Sequence, residues 1–410
     1  MDDINIPISI GSLNFKNPFY VSSGPSTKTV RQLKRIEETG WAAASIKLSI
    51  DPAPYINRKP RYGYFDNYKA LGFTAEKRLD MAEGLKLIED AKKELNDLLL
   101  FANISYAGEN ERDIQGWVNM AKQFEAAGAD AIELNMCCPN MSFNVEISSA
   151  NKERTVKKSG ASMSSNPELI AEIVKEIKKT LGIPLFVKLS PEGGQIALTA
   201  KTIYAAGADA VGGTGNRLGI PPINIDNPSK SIIELQEEIS MKCFSGAWLK
   251  PLALRDTYEI RKENGSGPFI MATGGIFNWQ DAAEMILCGA NLVGICTATL
   301  LNGYDIVRPM INGLKSYMDA KGYSHPKEFC GMLVSGIKTA QKLTIYEGYA
   351  EIIKGGCGEK CGLCKRICCS FAPEHVKPDT IAINKDLCTG CGICSYRCPI
   401  KNIRMVKAKV

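Results

Sequence analysis

Short apolar runs alternate with longer segments in which apolar residues recur every three to four positions, and this alternation persists through the first 320 residues. The short runs read as strands buried on both faces and the longer segments as amphipathic helices, so the pattern predicts parallel βα units. Eight strands are expected, over residues 19–22, 43–47, 98–104, 131–135, 185–188, 210–213, 269–272 and 292–295. Helices are expected over 113–127, 167–181, 196–206, 279–288 and 304–320.

A four-residue echo supports this reading. Glu38-Thr-Gly-Trp41, Ala127-Gly-Ala-Asp130, Ala206-Gly-Ala-Asp209 and Cys288-Gly-Ala-Asn291 recur about every 80 residues, each between a helix and the next strand. Glycine there can take the left-handed turn that stops a helix. Eight such units favour a closed α/β barrel of the TIM (β/α)8 type over an open doubly wound sheet, and they put the chemistry at the carboxyl ends of the strands. The barrel is expected over residues 1–330, a helical linker over 331–356, and a small α+β domain over 357–410.

The chain has 410 residues, 45% of them apolar, which suits a large globular domain with a smaller one attached. No N-terminal stretch has the make-up of a secretory signal, and no apolar run reaches the ~18 residues that span a bilayer, so a cytoplasmic, soluble protein without membrane contact is expected. The formal charge of +6 is spread over lysine-rich helix faces such as Lys175, Lys178 and Lys179, which argues against nucleic-acid binding. Of the 15 cysteines, nine crowd between Cys357 and Cys398. A disulfide scaffold would be small, secreted and cysteine-rich throughout, so the crowding points to metal.

Cys388-Thr-Gly-Cys391-Gly-Ile-Cys394-Ser-Tyr-Arg-Cys398-Pro399 follows the C-x2-C-x2-C-x3-C-P spacing of bacterial ferredoxins. Cys357-Gly-Glu-Lys-Cys361-Gly-Leu-Cys364-Lys-Arg-Ile-Cys368-Cys369 repeats it with one extra residue in the first gap. Crossed ligation would give one [4Fe-4S] cluster to Cys388, Cys391, Cys394 and Cys368, and a second to Cys357, Cys361, Cys364 and Cys398. Cys369 is an alternative to Cys368. A zinc ribbon is the competing reading, although it needs only four thiolates.

In the barrel, Gly274-Gly275 ends the seventh strand and Gly294-Ile-Cys296-Thr297 ends the eighth, where bare backbone N–H groups can cradle a phosphate. Lys47 and Lys188 stand at strand ends behind apolar residues, positions that call for an anion or a polar partner. Glu133-Leu-Asn135-Met-Cys137-Cys138-Pro139-Asn140 closes the fourth strand. There a thiol can exchange a proton and an amide can pair with a polar ring edge; a buried structural thiol is the alternative. Gly213-Thr-Gly215-Asn-Arg-Leu-Gly219 lacks the glycine spacing of a dinucleotide fingerprint.

Across nearly its whole length the chain resembles the dihydroorotate and dihydropyrimidine dehydrogenase family. The resemblance rests on Asn17-Pro18-Phe19, Ser22-Ser23-Gly24, Lys47, Leu134-Asn135-x-Cys137-Cys138-Pro139, Val187-Lys188-Leu189, Ser245-Gly246, Ala253-Leu254-Arg255 and Ala272-Thr273-Gly274-Gly275-Ile276. A barrel followed by a two-cluster tail is similar to the bacterial catalytic subunits that work beside a separate NAD- and FAD-binding subunit. The resemblance implies FMN in the barrel, Lys47 and Lys188 at the flavin ring, Cys138 as the proton-transferring residue, and Asn135 on the substrate. It also implies a homodimer or hetero-oligomer.

Two positions depart from the family: Ala75 and Gly215 stand where asparagines are expected, with Asn140, Asn216 and Asn67 nearby. The expected function is FMN-dependent oxidoreduction of a CH–CH/C=C bond in a small cyclic amide, with electrons exchanged through the clusters with a NAD(P)H/FAD subunit or a ferredoxin. Two rivals are an electron-transfer subunit with a barrel that has lost its chemistry, and a flavin-free aldolase using Lys188 with a zinc-bound tail.

Overall fold

A computed structural model describes residues 5–52, 59–74, 76–106, 114–138, 163–164, 166–190, 195–213, 215–353, 361–377 and 380–408. The chain divides into two compact units, Met1–Gly336 and Ile337–Val410.

The first unit is a ring of eight parallel strands: β1 Phe19–Val21, β2 Ala43–Ser45, β3 Leu99–Tyr106, β4 Ala131–Met136, β5 Leu185–Leu189, β6 Ala210–Gly213, β7 Phe269–Thr273 and β8 Leu292–Ile295. Each pairs with its successor, and β8 closes on β1 through Val293 opposite Phe19. Outside run α1 Val30–Thr39, α2 Met81–Glu94, α3 Ile114–Ala126, α4 Pro167–Lys178, α5 Ile196–Ala205, α6 Lys250–Asn264, α7 Trp279–Cys288 and α8 Val307–Lys321. All eight expected strands are present. Helices α1, α2 and α6 lie outside the five expected helices; α6 buries Asp256, Thr257 and Arg261 beside Ala253 and Ile260, so polar residues on its inner face mask the apolar period.

The echo seen in the sequence has a structural cause. Gly40, Gly128, Gly207 and Gly289 all have φ between 98° and 120°, ending their helices. The polar residue two positions later then accepts a strand N–H: Asp130 from Leu100 (2.7 Å), Asp209 from Leu185 (2.7 Å) and Asn291 from Ile270 (2.9 Å). One short motif thus stops a helix and pins a neighbouring strand.

The lower barrel is filled by Tyr20, Phe101, Phe186, Met271 and Leu292. Phe101 packs edge-on against Phe186 at 5.2 Å between ring centroids. An N-terminal hairpin, Ile8–Ile10 and Leu13–Phe15, adds Ile8, Ile10, Leu13 and Phe15 to that cluster and plugs the barrel floor. At the other end, a four-stranded antiparallel sheet not foreseen in the sequence joins Tyr62–Phe65 and Ala70–Phe73 to Arg217–Gly219 and Lys242–Gly246. Its strands come from the β2–α2 and β6–α6 connections, so it stands over the mouth.

The second unit pairs Gly348–Ile352 with Ile403–Lys407 and Pro373–Lys377 with Thr380–Ile383. Two short helices, Leu363–Ile367 and Ile393–Arg397, each start from a glycine in the left-handed conformation, Gly362 and Gly392. Phe371 and Lys401, three residues beyond Cys368 and Cys398 respectively, also have positive φ. The two cysteine runs therefore fold as structural repeats. The helical linker expected over 331–356 does not form in its described residues: 3-10 turns at Met332–Ser335 and Ala340–Lys342 lead into strand Gly348–Ile352. Ala350 is buried and Ile352, two positions on, packs in the same apolar cluster, while Leu343, Ile345 and Tyr346 are exposed and give a helix no apolar face to bury. Among the described residues no helix is long and apolar enough to cross a membrane.

Candidate functional site

An open cleft of about 1070 Å³ occupies the carboxyl end of the barrel. Its walls include Ser22, Ser23 and Gly24 after β1, Lys47 after β2, Asn135 and Cys138 from the end of β4, and Lys188 of β5. Asn216, Ser245 and Gly246 come from the β6–α6 connection, Gly274 and Gly275 follow β7, and Cys296 and Thr297 follow β8. The sequence-expected barrel residues thus meet on one cavity, except Asn140, which with Ala75 lies outside the described residues. Asn67 is exposed and absent from the cavity wall.

The two lysines differ in their partners. Lys47 Nζ forms an ion pair with the buried Glu76 at 2.8 Å, and Lys28 approaches the same carboxylate at 3.2 Å. Burial alone would raise the Glu76 carboxyl, but Lys47 and Lys28 hold it below its ordinary value. Lys188 Nζ donates to Ser22 Oγ at 2.8 Å. Burial works against its charge, yet the acid Glu133 beneath it, aided by Cys137 and Cys296, keeps the amine above its ordinary value. A raised amine disfavours the free base that a Schiff-base reading requires.

Glu133 heads a network that sequence reasoning missed. It accepts hydrogen bonds from Ser45 Oγ and from Asn103 Nδ2 (2.6 Å), and Asn103 Oδ1 in turn accepts from Asn135 Nδ2 at 2.9 Å. Parallel register places Glu133 opposite Asn103 and Asn135 opposite Lys188. Polar residues at inward positions of two adjacent strands were the available signal. Asn135 Oδ1 also takes the Cys137 backbone N–H at 3.3 Å, so that amide is largely committed inside the protein.

Arg78 is the other residue not anticipated. It is 7% exposed, lines the cavity, and donates through Nη1 to the Glu76 carbonyl (2.7 Å) and through Nη2 to Cys138 Sγ (3.2 Å). The adjacent thiols are thereby unlike. Burial pushes the Cys137 thiol up to about 12, keeping it protonated, whereas Cys138 is half-buried beside a guanidinium.

Two of the glycines are structurally required. Gly275 has φ 75°, and a Cβ there would strike the Lys250 backbone. A Cβ on Gly24 would strike Cys296 Sγ. Both residues line the cavity.

In the second unit one hollow is lined by Cys368, Cys388, Cys391 and Cys394, and another by Cys361, Cys364, Cys394 and Cys398. Cys357 lies outside the described residues, and Cys369 is exposed. Backbone N–H groups of Ala350 and Asn402 donate to Cys388 Sγ (3.3 Å) and Cys398 Sγ (3.2 Å). Among the described residues no three thiols converge as one metal ion would need. A cubane carries its thiolates on separate irons and tolerates wider spacing.

Residues 6–318 match the dihydroorotate dehydrogenase family, and residues 381–404 match the 4Fe-4S binding domain. The chain is 28% identical to the NAD-dependent dihydropyrimidine dehydrogenase subunit PreA of Escherichia coli, over 99% of this chain and 96% of that one. It is 29% identical to the catalytic subunit of dihydroorotate dehydrogenase B (NAD(+)) of Thermoplasma volcanium, over 80% and 99%. With the chloroplastic dihydropyrimidine dehydrogenase (NADP(+)) of Arabidopsis thaliana it shares 25% identity, over 80% and 76%.

Proposed function

The chain belongs to the dihydroorotate dehydrogenase family and is an oxidoreductase with a 4Fe-4S domain, and on that premise we propose that it moves a hydride and a proton across a CH–CH/C=C bond of a small cyclic amide of the dihydropyrimidine or dihydroorotate kind. The observation that carries this reading is the Cys138 thiol facing the same cavity as Lys47 and Lys188, above a barrel end with bare glycine backbone.

FMN suits this cavity. Gly24, Gly274 and Gly275 present backbone at the cavity wall, Ser22, Ser23, Ser245, Gly246, Cys296 and Thr297 offer polar contacts, and Lys47 and Lys188 supply positive charge. Bound there, FMN supplies the reversible hydride chemistry that no side chain offers. Cys138 gives or takes the proton on the substrate carbon. Arg78 orients its sulfur, Asn140 and Asn216 hold the substrate, and Asn135, fixed by Asn103 and the Cys137 N–H, adds the second N–H of its amide. Glu133 fixes Asn135 through Asn103 and keeps Lys188 charged.

Two [4Fe-4S] clusters are assigned to Cys368, Cys388, Cys391 and Cys394, and to Cys357, Cys361, Cys364 and Cys398. The two thiol-lined hollows and the repeated backbone support both assignments. A separate NAD(P)H- and FAD-binding subunit or a ferredoxin delivers electrons, in keeping with the subunit nature of the bacterial relative.

Replacing Cys138 with Ala is expected to lower turnover roughly 10²- to 10⁴-fold while flavin and iron–sulfur absorbance persist. Unchanged turnover would remove Cys138 from the mechanism, and purified protein without flavin would sink the whole reading.

A further inference from the structure

Resting on the cluster assignment above, we infer that the smaller unit docks an acidic one-electron carrier protein on a basic rim around Tyr396, formed by Lys365, Arg366, Arg397 and Lys401. The first support is where the charge lies. Met1–Gly336 is balanced, with 37 basic residues against 38 acidic, whereas Ile337–Val410 has 13 against six. The whole positive surplus of the chain therefore belongs to the unit that carries the cysteine runs. Between Cys361 and Cys369, and again between Cys388 and Lys401, every charged residue is a cation.

The second support is that these cations are exposed and uncommitted. Arg404 holds Glu351, and Lys385 and Lys407 lie over the rings of Tyr349 and Tyr346. Lys365, Arg366, Arg397 and Lys401 are exposed and have no acidic partner among the described residues. Helices Leu363–Ile367 and Ile393–Arg397 pack together, which gathers three of the four on one helix pair, with Lys401 just past the second. Tyr396 is 84% exposed, and its ring lies over Gly392, where a Cβ would approach it to 3.6 Å. Gly392 follows Cys391, an exposed cysteine assigned to a cluster, and Ile393 and Ile400 are exposed nearby. A bare aromatic ring among cations suits a partner whose acidic surface surrounds a small apolar centre.

The third is the kind of contact such a surface makes. The core of a permanent subunit interface is apolar and depleted in charge. Four lone cations around one ring favour a small, steered and short-lived encounter, as redox partners make. Each encounter passes one electron from the reduced carrier into the smaller unit. Two encounters then deliver the two electrons, and water the two protons, that reduce one C=C bond.

Anaerobic stopped-flow reduction of the holoenzyme by a reduced acidic ferredoxin tests this, read as bleaching of the iron–sulfur absorbance. The second-order rate is expected to fall about tenfold or more between about 0.01 M and about 1 M salt. At low salt, combining Lys365→Gln, Arg366→Gln, Arg397→Gln and Lys401→Gln should slow it by a similar factor, and so should amidating the carboxylates of the ferredoxin. Reduction by photoreduced deazaflavin, which needs no docking, should be unchanged in that variant. A rate indifferent to salt overturns the inference, and this comparison decides even if the variant fails to fold. A variant as fast as the unaltered chain also overturns it, as do substitutions that shift the cluster potentials while leaving the ferredoxin rate alone. Electrons accepted only from a stably bound dinucleotide-dependent flavoprotein subunit would overturn it too. In each of these cases, bleaching by deazaflavin leaves the cluster assignment standing, whereas no bleaching by either reductant overturns both.

Discussion

The two units are held together by different means. The barrel wraps strands and helices around a continuous apolar cluster that runs from Ile6 to Phe329, with a second cluster filling its floor. Among the described residues of the unit Ile337–Val410, the apolar cluster has four buried members, Ala350, Cys364, Cys398 and Ile403, and two of them are cysteines. Units of roughly 70–80 residues or fewer seldom support themselves on apolar burial alone. The barrel owns its stability, so its mouth can hold buried charge. The tail spends its interior on thiols and depends on whatever those thiols bind.

Removing iron is the severest test of this contrast. Anaerobic chelation should abolish the ordered structure of the tail outright, read as lost exchange protection over 361–408, while barrel amides stay protected. A tail that keeps its protection without iron would erase the distinction.

A smaller effect is expected where the barrel does carry risk, at the charged mouth. The pKa of Glu76 in the folded protein lies below its unfolded value, so its contribution is present above the ordinary value of 4.5 and is lost as pH falls through the folded one. Glu76→Gln should cost about 3 kcal/mol near neutrality by leaving Lys47 buried without its partner, and should flatten the acid limb of the stability curve. Denaturant midpoints from pH 7 to pH 3 would show it, and parallel curves for both proteins would refute it.

The smallest change concerns one strand pin among several. Asp209→Ala strands the Leu185 N–H and should cost roughly 1–3 kcal/mol. Loss of the whole barrel would show that its supports are less redundant than described.

The sequence disclosed the barrel because fully buried parallel strands leave short apolar runs, and because helix-ending glycines and strand-pinning Asp130, Asp209 and Asn291 recur in register. It disclosed the cysteine runs because ligand spacing is local. It did not disclose the sheet over the mouth, whose strands lie far apart in the chain, nor the strand at Gly348–Ile352, whose pairing partner Ile403–Lys407 is equally distant. Arg78 and Glu133 escaped for a related reason. Each is an ordinary charged residue in its own segment, and only the fold brings Arg78 to Cys138 and Glu133 to Asn103.

The hairpin at Ile8–Phe15 has a kinetic consequence. With the floor of the barrel stoppered, the cavity is a vessel with a single door, through which reactant must enter and product must leave. A spent molecule and its successor share that route, so product lingering in the cleft is expected to compete with incoming reactant, which initial rates measured with added product would show as competitive inhibition.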